Sequence, residues 1–363
     1  MQTRQDMPEA SSIAPSSLRS AGALQIGNER FQNALARCPQ SVPPIWMMRQ
    51  AGRYHRHYQE LRQKHSFMDL CKQPELAAQV ALGPVMDFDF DAAILFSDLL
   101  FPLEALGMGL EYTDHGPQLG WHLNEKSILH LRTMDDAWPY LLFQGEALRA
   151  TRNRLPDDRS LLGFVGGPWT LFVYAVEGSH KGSLAASKSL LSLFPRFCEV
   201  MVPLLARNIE LQLSNGAELV MIFDTAAGEL PPEVFHTMVV PQLQEMARRE
   251  PSRIGYYSKA TQTAHLRHSL FTGGQLGGVG VDYRWEIGEA LNMFPKGFVQ
   301  GNFDPALLLC EQDEFKQRLI HYLEPLKEHE RAGWVCGLGH GVLPGTPEEN
   351  VRLFVNTVRE VLQ

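Results

Sequence analysis

Residues 201–228, MVPLLARNIELQLSNGAELVMIFDTAAG, carry the reading of the fold. Met201, Leu205, Ile209 and Leu213 recur along one helical face, so this part predicts a helix with one buried stripe. Asn215-Gly216 supplies a helix stop, because glycine takes the left-handed conformation that ends a helix at little steric cost. Leu219–Phe223 follows, apolar at every position. A strand that faced water on one side would alternate, so an unbroken apolar run predicts a parallel strand covered on both faces. The small polar turn Asp224-Thr225-Ala226-Ala227-Gly228 then leaves the strand's C-terminal end.

The same unit repeats in both directions. Short apolar runs bounded by turn residues lie at 44–48, 92–96, 161–165, 219–223, 253–257, 279–281, 297–300 and 334–337, with helical patterns between most of them. In the last helix Thr346 is the expected N-cap, Pro347 the first helical residue and Glu349 the capping-box acid. Val351, Phe354, Val355, Val358 and Leu362 form its apolar stripe. Eight strands alternating with helices predict a single (β/α)8 TIM barrel, with a doubly wound open sheet as the alternative. The cluster Gly273, Gly274, Gly277, Gly278 and Gly280 precedes a strand, which is the wrong order for a dinucleotide-binding turn. Residues 109–123 predict a hairpin insertion after the second strand, turning near His115-Gly116-Pro117-Gln118.

Composition narrows the function classes. The chain has 363 residues, 44% of them hydrophobic and 20% charged, which suits one large folded domain over residues 28–363. Residues 1–27, rich in Ser, Ala and Gln and without an apolar core segment, predict a disordered tail and no secretory signal. A net charge of −8 argues against general nucleic-acid or anionic-membrane binding, though not against a local basic pocket. Five scattered cysteines with no CxxC pair predict a reduced, cytoplasmic chain. No apolar run approaches the roughly 20 residues that span a bilayer.

In a barrel the chemistry sits on the loops after the strands' C-terminal ends. The chemically unusual residues fall there. After the first strand, Arg49, Arg53, Arg56 and Arg62 make a basic segment in an acidic chain, and planar guanidinium groups suit paired carboxylates. A solvated basic loop would read the same. Asp98 follows the second strand, where a buried acid must be paired or functional. A structural salt bridge to one of those arginines is its competing reading. Tyr174 lies a turn beyond Gly166-Gly167-Pro168-Trp169-Thr170. Thr225, Ser258-Lys259, Asp282-Tyr283, Asn302 and Gly339-His340-Gly341 follow later strands. The chain has no P-loop, nucleophile elbow or zincin helix, and its 13 histidines show no ligand spacing, so no metal is expected.

These segments together resemble the uroporphyrinogen decarboxylase family. The similarity rests on Trp46-Met47-Met48-Arg49-Gln50-Ala51-Gly52-Arg53-Tyr54, Phe96-Ser97-Asp98-Leu99-Leu100, Gly166-Gly167-Pro168-Trp169-Thr170-Leu171 with Val176-Glu177-Gly178, Gln300-Gly301-Asn302 with Asp304-Pro305, and Leu338-Gly339-His340-Gly341 with Pro344-Gly345-Thr346-Pro347. It implies a barrel, a homodimer, no cofactor, and decarboxylation of the four acetate side chains of uroporphyrinogen III to coproporphyrinogen III in haem biosynthesis. It assigns Asp98 to the inward pyrrole N–H groups, Arg49 and Arg53 to substrate carboxylates, and Gln50 to substrate binding. It places Tyr174, Thr225 and His340 along the cleft. The catalytic set so implied is Asp98, Arg49, Tyr174 and His340, with the proton donor open among Arg49, His340, Tyr174 and a water.

The chain departs from the family at several points. His55-Arg56-His57 stands where Leu-Pro-Glu is usual, which adds positive charge expected beside the cleft. Ala226 replaces a bulkier residue, Ser179-His180-Lys181 alters a glycine-serine run, and Ala260-Thr261-Gln262 replaces a glycine run. Two other classes fit part of the pattern. One is a zinc-dependent corrinoid methyltransferase, whose Cys and His ligands would fall where Ser258-Lys259 and His340 stand. The other is a non-catalytic tetrapyrrole-binding protein.

Overall fold

The computed structural model describes residues 26–113, 116–327 and 331–363. Seven parallel strands form one curled sheet in the order β1-β4-β5-β6-β7-β8-β9. They are β1 (Ala92–Ile94), β4 (Ser160–Gly166), β5 (Leu219–Phe223), β6 (Ile254–Tyr257), β7 (Gly278–Gly280), β8 (Phe298–Phe303) and β9 (Trp334–Leu338). Between β1 and β4 an antiparallel pair joins β2 (Glu111–Thr113) to β3 (Gly116–Gln118). The turn residues Asp114 and His115 lie outside the described residues. The helices that bear on the site are α1 (Glu29–Leu35), α2 (Arg56–Lys64), α3 (Pro74–Phe88), α4 (Pro168–Glu177), α5 (Phe194–Ser214) and α6 (Glu348–Val361).

The sheet's two faces explain its sequence. Leu219, Met221 and Phe223 of β5 point into one apolar cluster with Leu162, Tyr257, Phe298 and Val335. Val220 and Ile222 point the other way, into the larger cluster under the helices. Both sets are buried, so no polar alternation survives in the sequence. Phe31 of α1 joins the inner cluster, its ring 6.2 Å from that of Phe298. The stripe expected on α5 is buried at Met201, Leu205, Ile209 and Leu213, and Gly216 has φ +109° at its end.

The first expected strand, 44–48, is reduced to a single bridge between Ile45 and Cys336. Pro44 has no N–H to give to a ladder. Ile45 donates its N–H to the Asp91 carboxylate at 2.8 Å instead of to a neighbouring strand. The segment nonetheless lies between the two ends of the sheet. The Pro44 carbonyl accepts from Cys336 N–H (2.9 Å), and the Ile45 carbonyl accepts from Asp91 N–H (2.9 Å).

Three other expectations are corrected. The strand read at 297–300 runs on through Gly301, Asn302 and Phe303, so these residues are strand and not loop. Thr346 does not cap the last helix. The helix begins at Glu348 with Pro347 at the cap position, and the buried Thr346 hydroxyl has no hydrogen-bond partner. Pro347 is held extended at ψ 133°, which moves the first helical turn one residue along. Of the expected tail, residues 1–25 lie outside the described residues, whereas Ile26 is buried and Gly27 N–H donates to Glu218 at 3.1 Å. No described helix is long and apolar enough to cross a membrane.

Candidate active site

The loop between β4 and α4 is fixed first. Gly167 packs so closely on Asp224 that an added Cβ would sit 2.2 Å from the Asp224 side chain. Asp224 accepts from Thr170 N–H at 2.7 Å, in the first turn of α4, and the Thr170 hydroxyl accepts from Ala226 N–H at 2.9 Å. These bonds lock the β4 and β5 loops together and aim α4. Asp224 is therefore a structural cap. Burial lifts its carboxyl to about 6, against the pull of the Thr170 hydroxyl and the N–H groups of Thr170 and Trp169. Tyr174, two turns along α4, is partly buried, and burial followed by the nearby Asp98 charge pushes its phenol up to about 12. The Tyr174 hydroxyl keeps its hydrogen at any working pH.

The segment after Ile45 is clamped from below. Gln50 is buried, accepts from Met47 N–H at 3.1 Å and donates to the Ala92 carbonyl at 2.9 Å. Its amide is thus committed to the protein, and it positions its neighbours. Tyr54 donates to the Gln50 carbonyl at 2.7 Å, and Val342 N–H donates to the Met48 carbonyl at 2.9 Å. Held at both ends, Arg49 takes a left-handed φ of +60° and lays its side chain across Gly341. Arg49 and Arg53 are both exposed.

Asp98 leaves the end of β1 and caps its own turn, accepting from Leu100 N–H at 2.9 Å. Burial raises its carboxyl above the ordinary value of 3.8, opposed by Leu100 N–H, the Tyr112 hydroxyl and Arg49. Asp98 and Arg49 make no ion pair among the described residues, and Arg53 makes none either. The structural-salt-bridge reading of Asp98 therefore falls.

His340 is tied down from one side. The Tyr257 hydroxyl donates to the Gly339 carbonyl at 2.8 Å, so its oxygen accepts from His340 Nδ1–H at 3.1 Å. Nε2 is left as an unprotonated acceptor. Burial first, then Arg49, Lys259, His180 and Arg284, hold the ring's pKa down to about 3. His340 is neutral and is no acid in the free protein. Thr225 sits partly buried at the β5 mouth.

Arg49, Asp98, Tyr174 and His340 thus act on one another at one mouth of the sheet, whereas no side-chain contact joins Arg53 or Thr225 to them among the described residues. Two residues outside the expected set stand with them. Lys259, after β6, is partly buried and acts on both His340 and His180. His180 Nδ1 lies 2.7 Å from the Tyr174 hydroxyl. Lys259 was recognisable by its position after a strand end; His180 had no such signal beyond its departure from the family pattern.

The charge expected beside the cleft from His55 and His57 is absent from it. Both rings turn onto α3. His55 Nε2 meets Asp87 at 2.7 Å with its ring against Phe88, and His57 Nε2 meets the Gln79 carbonyl at 3.0 Å over Gly83. Burial lowers the His55 pKa against the pull of Asp87. The extended backbone of His55 at the cap of α2 (φ −90°, ψ 124°) lets its ring reach α3 on the same side as His57, one residue into the helix. No group of three or more His, Cys, Asp or Glu side chains that could hold a metal occurs among the described residues.

Residues 27–361 match the family model described as uroporphyrinogen decarboxylase (URO-D). The chain is 38% identical over 351 residues to a protein named uroporphyrinogen decarboxylase from Anaeromyxobacter dehalogenans, covering 91% of this chain and 97% of that one. It is 34% identical over 328 residues to one of the same name from a Synechococcus strain, covering 88% and 93%. Among solved structures, a methyltransferase from Methanosarcina mazei superposes with a TM-score of 0.75 at 20% identity, over 93% of this chain and 99% of that one. That likeness is one of fold.

Proposed function

The chain belongs to the uroporphyrinogen decarboxylase family, and from that premise we propose that it removes the acetate carboxylates of uroporphyrinogen without a cofactor, in the cytoplasm, as a homodimer. We read the curled sheet as a closed (β/α)8 barrel. The hydrogen bonds that the Pro44 and Ile45 carbonyls accept from Cys336 and Asp91 N–H support that closure.

The observation that carries the site assignment is an unpaired, partly buried Asp98 facing the same mouth as an unpaired Arg49. Breaking the bond to an acetate carboxylate leaves an electron pair that needs a sink. Protonation of the pyrrole ring at carbon makes a cationic ring. The pair from the breaking C–C bond then flows into that ring, CO2 leaves, and the exocyclic methylene so formed takes a proton as the ring carbon loses its own. The balance is one proton taken up and one CO2 released per acetate. A carboxylate held in a dry site is poorly stabilised alone and gains most when the ring becomes positive, so Asp98 favours the transition state over the ground state. Arg49 and Arg53 anchor substrate carboxylates by charge-assisted hydrogen bonds. His340 Nε2 accepts from the substrate, and Tyr174 is the hydroxyl with a hydrogen to give.

The direct test is anaerobic incubation with uroporphyrinogen III, with products resolved by carboxylate number. Stepwise loss to the four-carboxylate product is expected; unchanged substrate would overturn the reading. In that assay Arg53→Ala should raise KM by about 10–100-fold, the worth of a hydrogen bond to a charged group, and change kcat little. A kcat loss larger than the KM rise would remove Arg53 from the anchoring role. Gly341→Ala tests Arg49 indirectly. The new Cβ would meet Arg49 Cδ at 2.5 Å, so the flexible side chain must move while the fold stays. A displacement of about 1 Å can cost 10²-fold, so kcat/KM should fall by about that factor with an unchanged melting temperature.

A further inference from the structure

The loop after α4 departs from the family's glycine-serine run, and one of its residues touches the proposed site. Gly178 closes α4 with φ +72°, and the chain returns through Ser179, His180 and Lys181 over the mouth. His180 is partly buried, its Nδ1 2.7 Å from the Tyr174 hydroxyl and its ring 5.2 Å from the Tyr174 ring. We propose that His180 is a positioning residue for Tyr174. In the free protein its Nδ1 takes the phenolic hydrogen. Once a polyanionic substrate fills the cleft, Nδ1 becomes the donor and releases that hydrogen toward a substrate carboxylate.

The direction of the free-state bond follows from the two groups. A phenol is the better donor and a neutral imidazole nitrogen the better acceptor. Burial, then Arg49, Lys259 and Lys181, oppose protonation of His180. These cations face it from three places: the segment after Ile45, the loop after β6, and its own loop. His340, also neutral, faces it from the loop after β9, and Asp98 acts on Tyr174. With the cleft empty the charges that act on the ring, Arg49, Lys259 and Lys181, are positive while Asp98 bears on Tyr174, so the ring stays neutral and holds the hydroxyl hydrogen away from the mouth. Substrate carboxylates cancel those cations and add their own attraction, and both effects favour the imidazolium. An imidazolium Nδ1–H can only donate, so the phenolic oxygen accepts from it and its hydrogen swings to the substrate. No atom is gained or lost by Tyr174; one proton enters His180 from solvent as substrate binds.

This inference rests on the reading of Tyr174 as a cleft residue. The test is a double-mutant cycle of His180→Asn and Tyr174→Phe, read as kcat/KM in the decarboxylation assay. It is run at about pH 6 and about pH 8, the range across which imidazoles titrate. Asn keeps a hydrogen-bonding group but does not titrate. On the wild-type background His180→Asn should lose about tenfold at the lower pH, the worth of a charge-assisted hydrogen bond, and about twofold at the higher. On the Tyr174→Phe background it should lose less than about twofold at both, because coupled residues are not additive. Equal losses at both pH values, or the same loss on both backgrounds with Tyr174→Phe itself impaired, would overturn the inference alone. A Tyr174→Phe protein as active as wild type would overturn the cleft reading with it.

Discussion

Asp98→Asn should lower kcat by about 10²–10³ or more, the usual worth of one fixed electrostatic group at a developing charge. The amide oxygen can still accept from Leu100 N–H, so the turn after β1 keeps its shape. What is lost is the negative charge, and its largest value comes when the pyrrole ring is protonated. KM should therefore change little, the pattern of an interaction made mainly in the transition state. Stability provides the control, and its sign is opposite to that of a salt-bridged acid. Burial raises the Asp98 carboxyl in the folded protein, so the folded chain holds that proton more tightly than the unfolded one. Folding stability then falls as pH rises from the ordinary value of 3.8 through the raised folded value. Asparagine has no proton to lose, so the variant should melt no lower than wild type at about pH 8. A folded Asp98→Asn enzyme with near-normal kcat would make Asp98 structural and the mechanism wrong.

The strands and the candidate site loops were legible for different reasons. β5 was read at its true ends because both faces of the sheet are buried and its sequence is apolar throughout. The residues after each strand were found because a barrel's topology brings strand ends together whatever the loops contain. Orientation was not legible. His55 and His57 look like cleft cations beside Arg53, yet at the cap and start of α2 their rings turn to Asp87 and Gln79. Gln50 shares a segment with two exposed arginines, but its amide faces inward to Met47 and Ala92. His180 could not be tied to Tyr174, six residues earlier, without knowing that Gly178 folds the chain back. The first strand failed because its partner is a side chain 46 residues away.

That partner supports the second large effect. The Asp91 side chain is 1% exposed and takes Ile45 N–H at 2.8 Å, Arg30 at 3.1 Å and Asn28 Nδ2 at 3.2 Å, with Arg359 at 3.5 Å and Arg159 at 3.7 Å. Asp91→Ala leaves the buried Ile45 N–H without its acceptor and Arg30 without its counter-ion, and it strips Arg159 and Arg359 down to their pairing with Asp89 and Asn28 Nδ2 down to the Asp158 carbonyl. Removing one member of a buried charge network costs about 3–5 kcal/mol, where an exposed ion pair is worth under about 1 kcal/mol. Urea unfolding should show a loss in the larger range, and Asp91→Asn, which keeps one acceptor oxygen, a smaller one. The effect should also reach the chemistry. Ile45 leads directly into the clamped segment that sets the left-handed Arg49, so loosening it should disperse the guanidinium before the protein unfolds. Asp91→Ala should then lose kcat/KM well below its melting temperature, although Asp91 lies at the N-terminal end of β1 and Asp98 beyond its C-terminal end. A variant that loses under about 1 kcal/mol would mean that Asp89 and solvent satisfy the arginines and that the backbone bonds of Pro44 and Ile45 close the sheet without Asp91.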